Sequence, residues 1–199
     1  MNLTSWVLIV IGSAVALLGA LWIVIPSLTG LPWVPTRRAR VRRALELAGV
    51  RPGETVYDLG AGDGRALIIA AREFEACGVG IEIEPVHCLV ARANALIAGA
   101  SGRISIRCGS FYRADLSDAD VVFVYVTPRH AARLRSLLAH QLRAGARVVS
   151  IAADLPGWQP AAVDREHLIF LYRMPPEPGG LESFLAQQGT HRVTPERPP

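Results

Sequence analysis

The sequence predicts a doubly wound α/β domain with a mainly parallel sheet, preceded by one N-terminal transmembrane helix. Short β-branched apolar runs alternate with longer helical ones from residue 55 to residue 172, and a glycine-rich turn follows the first of these runs. Strands that alternate with helices imply right-handed crossovers and a parallel sheet covered on both faces. An apolar run of roughly 20 residues near the N-terminus predicts the membrane helix.

The apolar run extends from Trp6 to Ile25 and is interrupted only by Gly12, Ser13 and Gly19. At 1.5 Å per residue, roughly 20 helical residues span the ~30 Å hydrocarbon layer. No Lys or Arg precedes the run, which disfavours the alternative of a removable signal peptide. We therefore assign residues 1–25 to an anchor that contacts the lipid bilayer through residues 6–25.

Basic residues follow this run closely, and such residues tend to stay on the cytoplasmic side of a membrane. The sequence thus predicts a single-pass membrane protein whose folded domain is cytoplasmic. The net charge of +4 is smaller than this cluster alone, so we expect anionic headgroups as its partner and no nucleic acid. The cluster consists of Arg37, Arg38, Arg40, Arg42 and Arg43.

Residues 26–36 contain three prolines and a glycine that interrupt a helix, and they are predicted to form a linker and lead-in segment. The folded domain is predicted at residues 37–174, and its first helix follows Thr36 as N-cap and ends at Gly49. The last strand follows the preceding turn with no room for a helix, so we expect it to be antiparallel. Residues 175–199 form a Pro-rich tail, predicted to be flexible, in which Leu181 to Gln188 could form one helix.

The remaining elements follow from the apolar periodicity. Strands are predicted at Thr55–Leu59, Val79–Ile83, Ile104–Cys108, Val121–Val126, Arg147–Ile151 and Leu168–Tyr172, and helices at Ala66–Phe74, Val86–Ile97 and Ala131–Leu142. The cysteines have no metal-ligand spacing, so no metal site is expected and we interpret them as reduced residues in or near the core. They are Cys77, Cys88 and Cys108.

The most specific motif extends from Tyr57 to Arg65, where the first strand hands over to a helix, and reads Y-D-L-G-A-G-D-G-R. Glycines at alternate positions, Gly60, Gly62 and Gly64, allow a tight turn and a close approach to a ligand. The G-x-G-x-G spacing favours S-adenosylmethionine over a dinucleotide, whose pyrophosphate uses G-x-G-x-x-G. Asp58 precedes the first glycine by two residues, where a carboxylate can engage a cationic amino-acid end. The alternative is a tight turn without a ligand.

Further candidates follow the next strands at the same edge of the sheet. Glu82, about 20 residues after the glycine motif, stands where such sheets bind ribose hydroxyls, whereas Glu84 is interpreted as a helix-start residue. After the third strand, Ser110 and Phe111 are candidates for contacting the edge and the face of an adenine ring. The alternative for Phe111 is that it fills the core together with the tyrosine that follows it. Thr127, after the fourth strand, is a candidate for orienting an acceptor or, alternatively, a helix cap.

Several segments of the chain occur in a characteristic order. They are Pro32–Thr36, Asp58–Arg65, Gly80–Glu82, Gly109–Tyr112 with Asp115–Ser117, Gly145–Ser150 and Gly157–Pro160. Together they resemble the small protein-lysine methyltransferases of archaea and their mitochondrial relatives, which modify the ATP synthase c subunit and the adenine nucleotide translocase. The resemblance covers about Pro32 to Met174, and it implies a Rossmann-like methyltransferase fold, S-adenosylmethionine as cofactor, and a protein substrate that presents a lysine. By position, Asp58, Gly60, Gly62, Gly64 and Glu82 match the cofactor-binding places of that family.

The sequence leaves three hypotheses for function. The first is a lysine methyltransferase that acts on a membrane-associated protein, with Thr127 and Trp158 as candidates on the acceptor side and Trp33 and Trp158 lining a channel for the lysine stem. The alternative for both tryptophans is packing. The second keeps the chemistry with a small-molecule, lipid or quinone acceptor, and the third is a non-catalytic membrane adaptor that retains the cofactor fold. No histidine is assigned a role as base.

Overall fold

The computed structural model describes residues 2–29 and 36–190. Within the first and last helices, side chains are described at residues 4–17 and 19 and at residues 181–186. Residues 30–35 of the lead-in segment, which include Trp33, and the last nine residues of the tail lie outside the described residues. The chain divides into two compact units, at residues 1–35 and 36–199, which are treated separately below.

The first unit contains helix α1, Leu3–Thr29, which continues four residues beyond the end predicted at Ile25. No helix among the described residues is both long and apolar enough to cross a bilayer. By this criterion the predicted transmembrane helix is wrong, and so are the bilayer contact through residues 6–25 and the single-pass membrane location with a cytoplasmic domain.

The second unit contains five helices and seven strands among its described residues. The helices are α2, Arg38–Ala48; α3, Arg65–Glu73; α4, Pro85–Ile97; α5, Pro128–Gln141; and α6, Leu181–Thr190. The strands are β1, Thr55–Leu59; β2, Cys77–Glu82; β3, Ile104–Cys108; β4, Val121–Tyr125; β5, Arg147–Ile151; β6, Ala162–Asp164; and β7, Ile169–Arg173.

The seven strands form one sheet in the order β3-β2-β1-β4-β5-β7-β6. Strands β1 to β5 pair in parallel, while β7 runs antiparallel to both β5 and β6. The doubly wound, mainly parallel sheet and its antiparallel last strand are therefore confirmed, and the fold is Rossmann-like. The strand order reverses between β1 and β4, and ligands bind such sheets at this crevice, beyond the carboxyl ends of the strands.

Two hydrophobic cores cover the two faces of the sheet. Val56 and Tyr57, neighbours on β1, belong to different cores because successive strand residues point to opposite faces. One core receives apolar side chains from α2, α3 and α4, such as Leu45 and Leu67. The other receives Leu134 and other residues of α5. The sheet is thus held rigidly from both sides, and its carboxyl edge is left for loops.

The end of α2 is tied to the sheet by a buried arginine. Gly49 adopts a left-handed conformation after the helix, as its role as the helix stop predicts. The Arg147 guanidinium donates to the carbonyl oxygens of Ala48 and Gly49, at 2.9 and 2.8 Å, and to a Glu54 carboxylate oxygen at 2.5 Å. These bonds satisfy carbonyl groups that the helix itself leaves without donors.

The cysteines differ from the expectation of three reduced residues in or near the core. The structure joins Cys88 of α4 to Cys108 at the end of β3, with their Cα atoms 6.0 Å apart. Cys77 is free but exposed. Residues 20 positions apart in sequence meet here because α4 packs back against β3, a proximity that sequence spacing does not reveal.

Candidate functional site

The glycine motif forms the loop between β1 and α3 at the carboxyl edge of the sheet. Gly60, Gly62 and Gly64 all have positive φ angles, of 110°, 53° and 78°, which side chains other than glycine rarely adopt. A Cβ on Gly64 would lie 3.2 Å from the Cβ of Ala91 on α4, so the loop also passes close to a neighbouring helix. The backbone is therefore built for a sharp turn in a confined space.

Glu82, at the end of β2, braces this loop from the next strand. One of its carboxylate oxygens accepts a hydrogen bond from the Gly62 backbone N–H at 2.8 Å, and the other accepts from the Glu84 N–H at 2.9 Å. The side chain is buried. Each carboxylate oxygen has a second lone pair, so further donors such as hydroxyl groups can still bind. Glu84 lies at the N-cap position of α4, as predicted, but makes no side-chain cap.

Asp58, on β1 beneath the loop, is a buried carboxylate that lacks a compensating donor. It is 5% exposed, and within the part of the chain that the structure describes no group donates a hydrogen bond to its side chain. Burial, and next the nearby negative charges of Glu82 and Asp63, raise its pKa to about 8. A carboxylate in this state is stabilised by a cation brought beside it.

Asp63 and Arg65 hold the far side of the loop and were not among the predicted site residues. The Arg65 guanidinium forms a close ion pair with Asp63 and donates to the backbone oxygen of Thr36 at 2.9 Å. Asn94 of α4 donates to the backbone oxygen of Asp63 at 2.9 Å. The loop is thus linked to Thr36 and to α4. The sequence signal that could have identified them is an acidic and a basic residue two positions apart within the glycine-rich turn.

Ser110 and Phe111 follow β3 at the same edge. The Ser110 hydroxyl accepts from the Tyr112 N–H at 3.4 Å, which begins a single 3-10 turn at Phe111–Arg113. Phe111 is half-buried and packs against the second core, with its ring centroid 4.4 Å from that of Tyr112. Part of the Phe111 ring therefore fills the core, as the alternative predicted, while the rest of the ring is exposed to solvent. The buried Tyr112 hydroxyl has no partner among the described residues.

Thr127 lies at the N-cap position of α5, directly beyond the end of β4, and is half-buried. Its hydroxyl makes no cap bond to the helix backbone. It lies instead 2.8 Å from Nδ1 of His130, in the first turn of α5. The structure therefore pairs the predicted threonine with a histidine to which sequence reasoning gave no role. A threonine and a histidine three positions apart at a helix start were the only signal.

Trp158 lies in the loop after β5 and is 6% exposed. Its ring packs edge-on against Tyr172, with centroids 5.8 Å apart, inside the second core. This arrangement favours the packing alternative over a channel wall. The other predicted residues lie at or just beyond the carboxyl ends of β1 to β4, so the sheet brings them to one edge: Asp58, the three glycines, Glu82, Ser110, Phe111 and Thr127.

Comparisons with known proteins point to the same loop. A family model described as the ANTKMT methyltransferase domain matches residues 58–162. The chain is 39% identical over 149 residues to a protein-lysine N-methyltransferase of Saccharolobus islandicus, and this match covers 71% of this chain and 92% of that protein. It is 36% identical over 143 residues to the adenine nucleotide translocase lysine N-methyltransferase of Mus musculus, covering 70% of this chain and 60% of that protein.

Among solved structures, the chain is similar to one described as an RNA methyltransferase from Salinibacter ruber in complex with S-adenosyl-L-homocysteine. The two are 42% identical, with a TM-score of 0.70, and the match covers 73% of this chain and 97% of the other.

Proposed function

Because the chain belongs to the family described as the ANTKMT methyltransferase domain and is an S-adenosylmethionine-dependent methyltransferase, we propose that it methylates the side-chain amine of a lysine in a protein substrate. The proposal is supported by the archaeal relative named for this activity, because the match covers 92% of that relative's length. A membrane-associated acceptor was inferred from the anchor and has no support without it.

The observation that carries the proposal is the buried Asp58 carboxylate beneath the glycine loop. A buried carboxyl group without donors, whose pKa burial raises to about 8, becomes favourably ionised beside a ligand with a cationic amino-acid end. Gly60, Gly62 and Gly64 would let the backbone approach that end, and Glu82 has lone pairs left for ribose hydroxyls. Ser110 and the open surface of Phe111 would hold the adenine. The residues present therefore fit S-adenosylmethionine.

When bound, S-adenosylmethionine supplies a methyl group made electrophilic by the sulfonium. The protein's contribution is then to align the acceptor and exclude water, because transfer to a neutral amine needs no strong base during the displacement. A lysine must first lose its proton, and desolvation beside a positive charge lowers the pKa of an amine. Thr127 and His130, which follow the strand next to β1, would accept hydrogen bonds from that amine and orient it.

RNA is the second candidate acceptor, and one specific comparison favours it. The Salinibacter ruber structure, which is described as an RNA methyltransferase, is 42% identical to this chain. Arg113, Arg129 and Arg133 are exposed in the segments that follow β3 and β4, and cations at such positions suit phosphate groups as well as acidic protein surfaces. The two acceptors differ in chemistry, so one labelling experiment separates them.

The experiment incubates the protein with methyl-labelled S-adenosylmethionine and a cell extract, then separates protein, RNA and lipid. We expect label in protein, released by acid hydrolysis as methylated lysine and lost with Asp58→Ala. The matched control is Asp118→Ala, an exposed carboxylate away from the loop, which should keep full activity. Label only in RNA would replace the proposal with the second candidate, and label only in lipid would exclude both.

A further inference from the structure

The solvent side of α4 is apolar rather than polar. Val86, Leu89, Val90, Leu96 and Ile97 are between 39% and 83% exposed. A surface helix of a globular domain normally turns polar residues outward and apolar residues toward the core. Helix α4 instead presents large aliphatic side chains to solvent along its whole length, and we call these five residues, with Ala93, the α4 face.

The α4 face is one continuous stripe. At 100° per residue its six members fall within an arc of about 120°. The buried residues Cys88, Ala91 and Ala95 lie on the opposite side, against the sheet. Ile83, in the turn before α4, is 69% exposed and extends the stripe at its N-terminal end. In the part of the second unit that the structure describes, every member of the stripe is open to solvent.

The size of the stripe is suited to a protein interface. Its exposed fractions correspond to about 700 Å², above the roughly 300–600 Å² of the largest apolar patch on a typical monomer. A standard interface buries about 800 Å² on each partner. With its immediate rim, the α4 face therefore approaches the area that a stable dimer needs.

The stripe also complements itself across a two-fold axis. Ala93, the smallest member, lies near the middle of the exposed residues, so two α4 helices can approach closely there. In an antiparallel pair with the two-fold axis through Ala93, Leu89 of one copy lies opposite Ile97 of the other, and Val90 lies opposite Leu96. Large residues therefore meet on both sides of a small one at the axis, and each contact occurs twice, as in an isologous interface.

Charge at the two ends of α4 favours the same antiparallel arrangement. Glu84 precedes the helix, while the Arg72 guanidinium donates to the Ala98 carbonyl just after it, at 2.6 Å. An antiparallel pair brings Glu84 of one copy toward Arg72 of the other, and it also aligns the helix dipoles favourably. A parallel pair would place like charges together. We propose that α4 pairs with α4 of a second copy, antiparallel across a two-fold axis through Ala93.

The position of the contact is tested by cross-linking in the full chain with the free thiol removed by Cys77→Ser. Ala93→Cys places one thiol at the proposed axis, and Ala139→Cys, an exposed alanine on α5, is the matched control. On mild oxidation we expect Ala93→Cys to form a covalent dimer several-fold faster than the control, because the axis holds the two thiols together. Equal rates would overturn the proposal.

The energetic contribution is tested by sedimentation velocity of the full chain. Leu89→Glu with Ile97→Glu should convert dimers to monomers, while Ala132→Glu with Ala139→Glu on α5 should leave the dimer intact. Cofactor binding by calorimetry reports that each variant is folded. A monomeric wild type, or a mass unchanged in the α4 variant, would overturn the proposal. So would monomers in solution whose α4 face binds another protein or phospholipid vesicles.

Discussion

We expect cofactor binding at pH 7 to release a proton, because the cationic end of S-adenosylmethionine would be placed beside Asp58. With a pKa of about 8, Asp58 is roughly 90% protonated at pH 7 in the free protein. A cation held beside it makes the ionised form strongly favourable. The α-amino group of the ligand, with a pKa of about 7.7–8.0, takes up roughly 0.1 proton in return. The net release is therefore about 0.8 proton per site.

The assay is calorimetric titration of S-adenosylmethionine at pH 7 in buffers that differ in ionisation enthalpy. The buffer takes up the released protons, so the observed binding enthalpy falls as the ionisation enthalpy of the buffer rises, and the magnitude of this negative slope equals the number of protons released. We expect a slope of about −0.8 for the wild type and near zero for Asp58→Asn, which keeps the shape of the side chain. Asp118→Asn, an exposed carboxylate, is the control and should keep the wild-type slope. A wild-type slope near zero, or one unchanged in Asp58→Asn, would refute the role assigned to Asp58.

The same carboxyl group sets a pH dependence of stability in the free protein. Because the native pKa of Asp58 is raised, the native chain keeps a proton that the unfolded chain loses between about pH 4 and pH 8. Its contribution to the free energy of unfolding is thus complete below pH 4, falls by at most about 1.4 kcal/mol per pH unit through this window, and levels off above it. Urea unfolding at pH 5, 7 and 9 should show this decline in the wild type and a smaller one in Asp58→Asn.

Three further substitutions test other parts of the site and fold. Gly64→Ala should lower stability by about 1–2 kcal/mol and weaken cofactor binding, because φ is 78° there and the added Cβ meets Ala91 at 3.2 Å. Thermal melting measures the loss of stability and calorimetry measures the loss of affinity. A variant with wild-type affinity would argue against a tight loop. Arg147→Met should lower the free energy of unfolding by about 3 kcal/mol, since it removes the hydrogen-bond donor to the Ala48 carbonyl. Urea unfolding measures this loss, and an effect below about 1 kcal/mol would contradict the buried cap. Thr127→Val should lower kcat roughly tenfold or more with an unchanged cofactor Kd, because the hydroxyl that holds His130 is lost; a change confined to cofactor affinity would move Thr127 out of the acceptor site.

The sheet could be predicted from the sequence because its signals are local. Five short apolar runs separated by helical segments specify parallel strands, and the short connection before Ile169 leaves no room for a crossover helix. The glycine motif could be located for the same reason. Its chemistry was less accessible: Asp58 carries a raised pKa only because folding buries it next to Glu82 and Asp63.

Contacts between distant segments were beyond the sequence. The bond from the Gly62 N–H to Glu82 depends on the register of β1 against β2. The contact between Thr127 and His130 is local, but it forms because the Thr127 hydroxyl bonds the histidine ring instead of capping the backbone of α5. The apolar stripe on α4 was read only as a helical run, since periodicity does not say which face meets the sheet. The N-terminal prediction was wrong because no helix among the described residues is both long and apolar enough to cross a bilayer.

The two hydrogen bonds accepted by Glu82 have a consequence for mutagenesis. One carboxylate fastens both the glycine loop and the start of α4, so replacing Glu82 would loosen two sides of the proposed cofactor site before any ligand arrives. A lower affinity in such a variant would report on preorganisation as much as on a lost ribose contact. Nucleoside analogues that lack the 2′- or 3′-hydroxyl leave the protein scaffold intact. The direct contribution of Glu82 to recognition is therefore measured by editing the ligand rather than the enzyme.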